Sequence, residues 1–447
     1  MKRMLINATQ QGKLRVALVD GYRLYDLDIE VTGNKKKKFN IYKGIIVNIE
    51  PSLEAAFVNY GLKKHGFLPL KEISENYFYK HDKNNKKISI NDIIREGQQL
   101  IVQISTEERG NKGALLTTFI SLPGSYLVLM PNNPRTLGVS RKIVGFNRIA
   151  LKEMLLSLSI PKNMGLIIRT AGLGKSIKTL QYDLDCKVQL WQSIVHNYRN
   201  YSSPILLYQD SNILIRAFRD YLHEDIGEIL IDNPNIFSFA CHHINLLGRL
   251  DFINKIKLYT GSTPLFSYYQ IESQINLIFQ RVVRLPSGGE IVFDNTEALI
   301  AIDVNSSRST QGMDIEQTAF NTNLEAVYEI TRQLRLRDLG GLIVIDFIDM
   351  TLLNHQKSVE NILRDIVKYD RAKVHVGCIS RFGLLEMSRQ RMRSSLVGSI
   401  NNICSRCSGT GFIQDNKSLS LLILGLIQLI VFKENICIED IIAAIEN

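Results

Sequence analysis

Leu299-Ile300-Ala301-Ile302-Asp303-Val304-Asn305 and, further along, Leu342-Ile343-Val344-Ile345-Asp346-Phe347-Ile348-Asp349 are two apolar, β-branched runs that each arrive at a carboxylate. Such runs read as short buried strands, and an Asp that ends one stands at the rim of a sheet. Between them, Asp314 to Leu339 reads as one helix closed by Gly340-Gly341, because Phe320, Leu324, Val327 and Leu334 recur at helical spacing. Strand, helix, strand is a crossover unit, so Asp303 and Asp346 are expected to face each other. Two carboxylates that meet with little to neutralise them repel unless a hard divalent cation sits between. Mg²⁺ takes one or two protein carboxylates and keeps water and substrate phosphate in its other positions. On this reading the strand ends form a phosphoryl-ester hydrolase site. The spacing supports equally a second reading, in which both acids cap a neighbouring loop or helix.

The chain of 447 residues has room for two to four domains and a sizeable core. Its net charge of +10 favours an anionic partner, nucleic acid first and an acidic membrane surface second. The six cysteines are Cys186, Cys241, Cys378, Cys404, Cys407 and Cys437, of which one pair is closely spaced, and the N-terminus carries no secretory pattern. A reducing, cytoplasmic setting follows, with a metal favoured over a disulfide framework.

Leu14–Val19 meets Leu24–Ile29 as a hairpin, and alternation puts Asp26 and Asp28 on the side opposite its core. Gly33 to Lys38 is a charge run that reads as a solvated linker. From Phe39 to Phe119 the segments Asn40–Ile49, Ala55–Asn59, Gly66–Leu68 and Leu100–Ile104, broken by glycines, suggest a small OB-type barrel. Phe57, Tyr60 and Phe67 lie near Lys37, Lys43, Lys63, Lys64 and Lys112; taken alone, both Phe residues read as core packing. Lys80–Lys87 reads as a mobile insertion in the barrel. Arg169-Thr170-Ala171-Gly172-Leu173-Gly174-Lys175-Ser176 looks like a phosphate loop but fails the Walker template, since Arg169 stands where a glycine is required. Arg169 and Thr170 can still hold a terminal phosphate, by a guanidinium fork and a hydroxyl. Gly227–Ile231, a helix after Asn233-Pro234, and Lys255–Tyr259 alternate strand and helix. Cys404 and Cys407 offer two of the four ligands that tetrahedral Zn²⁺ needs, so a dimer has to supply the rest. Leu419–Phe432 is too short to span a bilayer comfortably and reads as a buried or interface helix.

Several strings point the same way: Glu297-Ala298-Leu299, Asn305-Ser306, Arg335-Leu336-Arg337-Asp338-Leu339-Gly340-Gly341, the run from Ser380-Arg381-Phe382-Gly383 to Arg391, and Cys404-Ser405-Arg406-Cys407-Ser408-Gly409-Thr410-Gly411. Together they resemble the catalytic core of the bacterial RNase E/G endoribonucleases, nearer the E branch, from Met1 to about Leu424. The resemblance implies an α/β multidomain fold. Residues 1–35 and 215–278 would form a split RNase H-like subdomain, 36–119 an OB-fold RNA-binding barrel and 120–214 a 5′-sensor. A DNase I-like catalytic domain over 279–400, a zinc-link over 401–414 and a truncated helical segment over 415–447 would follow.

The same resemblance implies residue roles. Asp303 and Asp346 would hold Mg²⁺ and Asn305 would position the scissile phosphate, while the physical reading adds Arg337 as a nearby cation in the catalytic set. Phe57, Phe67 and Lys112 would contact RNA by exposed stacking and charge. Gly124, Val128, Arg169, Thr170 and Lys373 would sense a 5′-monophosphate; Lys373 stands where Arg is expected, keeping the charge and losing the planar fork, which implies weaker sensing. Cys404 and Cys407 would share Zn²⁺ with a second chain. The implied activity is Mg²⁺-dependent cleavage of single-stranded A/U-rich RNA in ribosomal and transfer RNA processing and messenger RNA decay, giving 5′-phosphate products. The alternative is a non-catalytic RNA-binding or assembly protein of the same family. A DNA-directed nuclease with the same metal chemistry is a third reading. Implied partners are single-stranded RNA and further copies of the chain, as a zinc-linked dimer or the tetramer of relatives. The chain ends at Asn447 without the long scaffold of relatives, which leaves degradosome partners and peripheral attachment at the inner membrane open.

Overall fold

The computed structural model describes residues 1–9, 12–31, 37–78, 93–108, 112–210, 212–222, 225–246, 249–296, 298–308, 314–392, 404–407, 409 and 411–434. Lys80–Lys87, most of the Gly33–Lys38 run, Glu297 and Cys437 lie outside them.

The chain opens with an antiparallel meander of β1 (Lys2–Asn7), β2 (Lys13–Asp20) and β3 (Arg23–Val31), with Val19 opposite Leu24 and Arg15 opposite Ile29. Asp26 and Asp28 do not take a solvent face opposite the core: they stand in register with Leu18 and Val16, which pack into this sheet's core. Asp28 is buried, and Asp26 accepts a hydrogen bond from Arg371 at 2.7 Å, because a later segment covers this side and encloses a polar cavity with them. Alternation tells which face a side chain takes, not what the rest of the chain lays over that face.

A closed barrel follows, built from β4 (Ile41–Glu50), β5 (Ala55–Asn59), β6 (Gly66–Pro69), β7 (Gln99–Thr106) and β8 (Leu115–Thr117), with β4 pairing β7 to complete the ring. Closure brings β4 so near β5 that a Cβ on Gly44 would lie 2.6 Å from the Val58 side chain, which is why a glycine interrupts an otherwise apolar strand. Strands β9 (Leu122–Pro123), β10 (Leu127–Met130), β11 (Leu137–Val139) and β12 (Gly165–Ile168) make a small sheet in the order β11-β12-β10-β9. It packs with α1 (Phe146–Ser157) and α2 (Ile177–Asn200), and β13 (Ile205–Tyr208) then returns to pair with β4. The next elements, α3 (Ile213–Tyr221), β14 (Ile226–Ile231), α4 (Pro234–Leu246) and β15 (Ile256–Leu258), rejoin the first meander to give the sheet β15-β14-β1-β2-β3, with β14 parallel to β1.

The last sheet contains β16 (Val282–Arg284), β17 (Glu290–Asn295), β18 (Leu299–Asn305), β19 (Gly341–Asp346), β20 (Val374–Ile379) and β21 (Leu384–Arg389), in the order β16-β17-β18-β19-β21-β20. Helix α5 (Ile315–Leu336), capped by the Asp314 side chain, crosses from β18 to β19, and α6 (Leu353–Val367) follows. Ile300, Ile302, Val304, Ile343 and Ile345 pack against Ala326, Val327, Ile330 and Leu334 of α5 and against Val359 and Leu363 of α6. Among the described residues no helix covers the opposite face, where Asp303, Asn305, Leu342, Asp346, Glu386 and Ser388 are exposed.

From Ser395 onward the chain forms a second unit. Its described parts are the turn around Cys404–Cys407 and α7 (Asn416–Glu434). Leu421, Leu424 and Leu429 of α7 are all exposed in the single chain, although a helix apolar around its circumference is expected to be covered. No described helix is long and apolar enough to cross a membrane.

Candidate active site

Parallel pairing of β18 with β19 runs in a register that sets Leu299 beside Leu342 and, four residues on, Asp303 beside Asp346. Neighbours in register share a face of the sheet, so both carboxylates stand on the open face, at the C-terminal ends of the strands. Asn305 projects from the same face one alternation later, and its Nδ2 donates to Asp303 Oδ2 at 2.8 Å. The Asp346 carboxyl is pushed above the usual range, first by partial burial and then by the charges of Asp303 and Asp349. Negative charge is therefore concentrated at these strand ends.

Asp349 is the acid that sequence reasoning quoted and did not use. The turn from Ser380 to Gly383 leads into β21, whose Leu384 pairs with Asp346, and it closes over this acid: a Cβ on Gly383 would lie 3.1 Å from Asp349 Oδ1. Gly383 has φ +77°, a conformation that favours glycine, so the turn and its approach to Asp349 depend on it. Arg381 and Phe382 of this turn are exposed, as is Arg308 on the loop leaving β18.

Arg337 does not belong to this group. It follows the C-terminal end of α5, before β19 begins, whereas the carboxylates stand where the strands end; at about 3.3 Å per residue the six residues of β19 separate the two ends by roughly 17 Å. Its guanidinium is buried, donates to Gln333 Oε1 at 2.8 Å and to the Leu277 carbonyl at 3.0 Å, and packs 4.4 Å from the Phe293 ring. Burial lowers its pKa to about 10. The sequence suggested proximity because Arg337 and Asp346 are near in the chain, but a strand lies between them.

The donor set at the strand ends consists of carboxylate and amide oxygens, open to solvent on one side. That set fits a hard divalent cation with coordination positions left for water and phosphate oxygen. Among the described residues no group of three or more His, Cys, Asp or Glu side chains is arranged around a common point, which suits a cation held by two carboxylates and not one in a closed protein cage. The thiols of Cys404 and Cys407 approach each other in a tight turn, and the amides of Gly411 and Gly409, with Cys404, hold the Cys407 thiol below its ordinary pKa. A thiolate-favouring pair of this kind fits Zn²⁺ and supplies half of a tetrahedral set.

On the barrel, Phe57 and Phe67 sit directly opposite on β5 and β6, their rings 5.9 Å apart and partly exposed, while Ala56, Val58 and Leu68 point into the core. Lys112 is exposed and lies two residues before Ala114, whose carbonyl accepts the Phe67 N–H at 2.8 Å. Two aromatic rings thus share one surface, with Lys112 exposed on the segment that leads to β8 beside them. Tyr60 and Lys43, grouped with them by sequence, do not: Tyr60 is core, edge-on to Tyr42, and the Lys43 ammonium donates to the carbonyls of Tyr198 and Tyr201.

The Arg169 guanidinium reaches back to the Gly124 carbonyl at 2.7 Å and to Asp220 at 2.6 Å. Val128 lies in register with Ile167, and Thr170 is exposed at the start of the next turn. These four residues are therefore brought together. Lys373 is exposed, just before β20, three residues after Asp370, whose carbonyl accepts from Lys142, which lies between β11 and α1. Two acids of this region were missed. Asp220 balances Arg169, and Asp183 accepts the amides of Ser125, Tyr126 and Leu127. Asp183 also explains Gly124, where a Cβ would lie 2.5 Å from its carboxylate. The signal was present: Asp183 occupies an apolar-face position beside Leu180 and Leu184 of α2.

A model of the Ribonuclease E/G family matches residues 121–392, and a model of the S1 RNA binding domain matches residues 35–119. The chain is 68% identical to ribonuclease E of Buchnera aphidicola subsp. Schizaphis graminum, over 97% of its own length and 45% of that protein. It is 64% identical to ribonuclease E of Escherichia coli (strain K12), over 97% of its own length and 41% of that protein. Ribonuclease G of Escherichia coli (strain K12) is 33% identical, over 92% of this chain and 84% of that protein. The chain thus spans somewhat under half the length of the ribonuclease E relatives it matches.

Proposed function

This chain belongs to the ribonuclease E/G family, and from that premise we propose that it is an endoribonuclease that cuts single-stranded RNA at the strand-end acids. The observation that carries the reading is the register of β18 against β19, which sets two like charges side by side on an uncovered face. Asp303 and Asp346 would hold the divalent cation, and Asn305, bonded to Asp303, would orient the scissile phosphate. Such a cation polarises the phosphoryl group and lowers the pKa of water, so that hydrolysis leaves a 5′-phosphate and a 3′-hydroxyl. Arg308 and Arg381 stand on loops at the same end of the sheet and take the place first given to Arg337 as cations near the developing charge.

Phe57, Phe67 and Lys112 would grip the strand by stacking and charge, with loss of about 1–3 kcal/mol of RNA affinity per ring replaced by Ala. Arg169, Thr170, Gly124, Val128 and Lys373 would read a 5′-monophosphate, and Cys404 with Cys407 would join two chains through Zn²⁺. A preference for A/U-rich sites and roles in ribosomal and transfer RNA maturation and messenger RNA decay accompany this family reading.

The deciding experiment offers matched single-stranded RNA and DNA oligonucleotides, with 5′-monophosphate or 5′-hydroxyl ends, with and without Mg²⁺. Internal cutting of RNA alone, dependent on Mg²⁺ and faster on the monophosphate, is expected; binding without cutting would move the chain to the non-catalytic alternative.

A further inference from the structure

The segment that leaves β19 runs through Phe347, Ile348, Asp349, Met350, Thr351 and Leu352 before α6 begins, and α5 grips it at two places. Asn323 is fully buried on the face of α5 that packs on the sheet. Its Nδ2 donates to the Ile348 carbonyl at 2.8 Å and its Oδ1 accepts the Ile348 N–H at 3.1 Å. Two helical turns earlier, Glu316 accepts the Thr351 N–H and hydroxyl, both at 2.8 Å, and the Leu352 N–H at 3.2 Å. It also contacts His355 Nδ1 at 2.9 Å, and the His355 ring stacks 4.2 Å from Phe320 of α5.

The neighbours of Asn323 on this face are Ala319, Ala326, Val327 and Ile330, so packing alone asks for an apolar side chain. A buried amide there is costly unless both of its ends are matched, and here both are matched by one peptide unit pair. A clamp on the N–H and C=O of a single residue fixes the rotation of the main chain at Ile348. Asp346 is already fixed by pairing on both sides of β19, so that rotation decides where the chain goes on leaving the strand and where Asp349, one residue after, stands beside it. Asp303 and Asp346 stand side by side with like charge, so a hold on the segment that follows opposes their separation.

We propose that Asn323 and Glu316 are positioning residues that hold Ile348–Leu352, and Asp349 with it, behind the strand end at which Asp303 and Asp346 would hold a divalent cation. The inference rests on Asp303 and Asp346 being cation ligands. Supporting residues of this kind commonly change metal affinity by about 10- to 100-fold.

The test follows Mn²⁺ binding to the whole chain, without RNA, by electron paramagnetic resonance at neutral pH. The wild type is compared with Asp346→Asn, Asn323→Ala, Glu316→Ala and Thr331→Val, the last removing a different buried polar contact from α5. Expected are binding lost in Asp346→Asn, weakened about tenfold or more in Asn323→Ala and Glu316→Ala, and unchanged in Thr331→Val. The Mg²⁺ concentration giving half-maximal cleavage should rise by the same factor, with the rate at saturating Mg²⁺ kept within about threefold. Should Asn323→Ala not fold, Glu316→Ala decides alone. Wild-type affinity in the folded variants overturns the inference. A wild type whose Mn²⁺ binding does not depend on Asp346 overturns the cation reading itself, and the inference with it.

Discussion

Asp346 and Asp232 both stand at the C-terminal end of a strand that runs parallel to a neighbour, β19 beside β18 and β14 beside β1, yet they meet opposite surroundings. Asp232 accepts from Asn7 Nδ2 at 2.5 Å, from the Ala8 N–H at 2.8 Å and from the Thr9 hydroxyl at 2.7 Å. Its charge is spent on capping the loop that follows β1. Asp346 has Asp303 opposite and Asp349 close by, and its carboxyl is pushed up by partial burial and by both of them. The two readings left open by the sequence are therefore both realised in one molecule: a strand-end acid as a cap, and a strand-end acid as half of a charged pair. What separates them is the group met at the neighbouring strand's end, neutral donors in one sheet and a second carboxylate in the other.

The largest effect that tests this contrast is the loss of chemistry at the like-charged pair. Asp346→Asn or Asp303→Asn should lower Mg²⁺-dependent RNA cleavage by about 10³-fold or more, since metal-held charge stabilisation amounts to several kcal/mol. RNA affinity and melting temperature should stay close to wild type, because removing one of two like charges relieves repulsion and an Asn oxygen at 303 can still accept from Asn305. Full cleavage activity in either variant would erase the distinction between the two sheets.

A smaller effect is expected at a carboxylate fully engaged in structure. Asp220 lies between two guanidinium groups; burial pushes its pKa up, but the charges and hydrogen bonds of Arg219 and Arg169 outweigh this and hold it at about 2. A depressed carboxyl contributes stability that is complete above its unfolded pKa, near 4, and is lost as pH falls towards about 2. The difference is about 2 kcal/mol, and Asp220→Asn should remove that part of the acid dependence in chemical denaturation between pH 5 and 2. An unchanged pH profile in the variant would show that the ion pairs do not stabilise the fold.

The smallest effect belongs to the cap itself. Asp232→Asn keeps one acceptor and should cost about 1 kcal/mol of stability while leaving the cleavage rate unaltered. A large loss of cleavage in Asp232→Asn, with stability intact, would place catalytic charge in the wrong sheet.

Much of this organisation is legible in the chain. The β-branched runs into Asp303 and Asp346, the helical spacing from Asp314 onward and the glycine-punctuated barrel follow from local rules of periodicity and backbone freedom, and each appears at nearly the expected residues. Arg337 was misplaced because nearness in sequence was taken for nearness in space across a strand that separates its two ends. Asp26 and Asp28 were placed opposite the core because they alternate with Leu27 and Ile29, but both faces of this hairpin are covered and the acids share theirs with Val16 and Leu18. Asp220 and Asn323 went unnoticed because their roles are defined by residues far away in the chain, Arg169 and Ile348.

By itself, then, the sequence determined which segments are strands and helices and which acids end them, since those choices depend on side-chain size, periodicity and the needs of a few neighbouring residues. Only the tertiary structure decided which acid finds a donor and which finds another acid. Register and crossover geometry choose the partner of every strand end, and the energy of a carboxylate depends on the charge a few ångströms away, not on its neighbours in the chain.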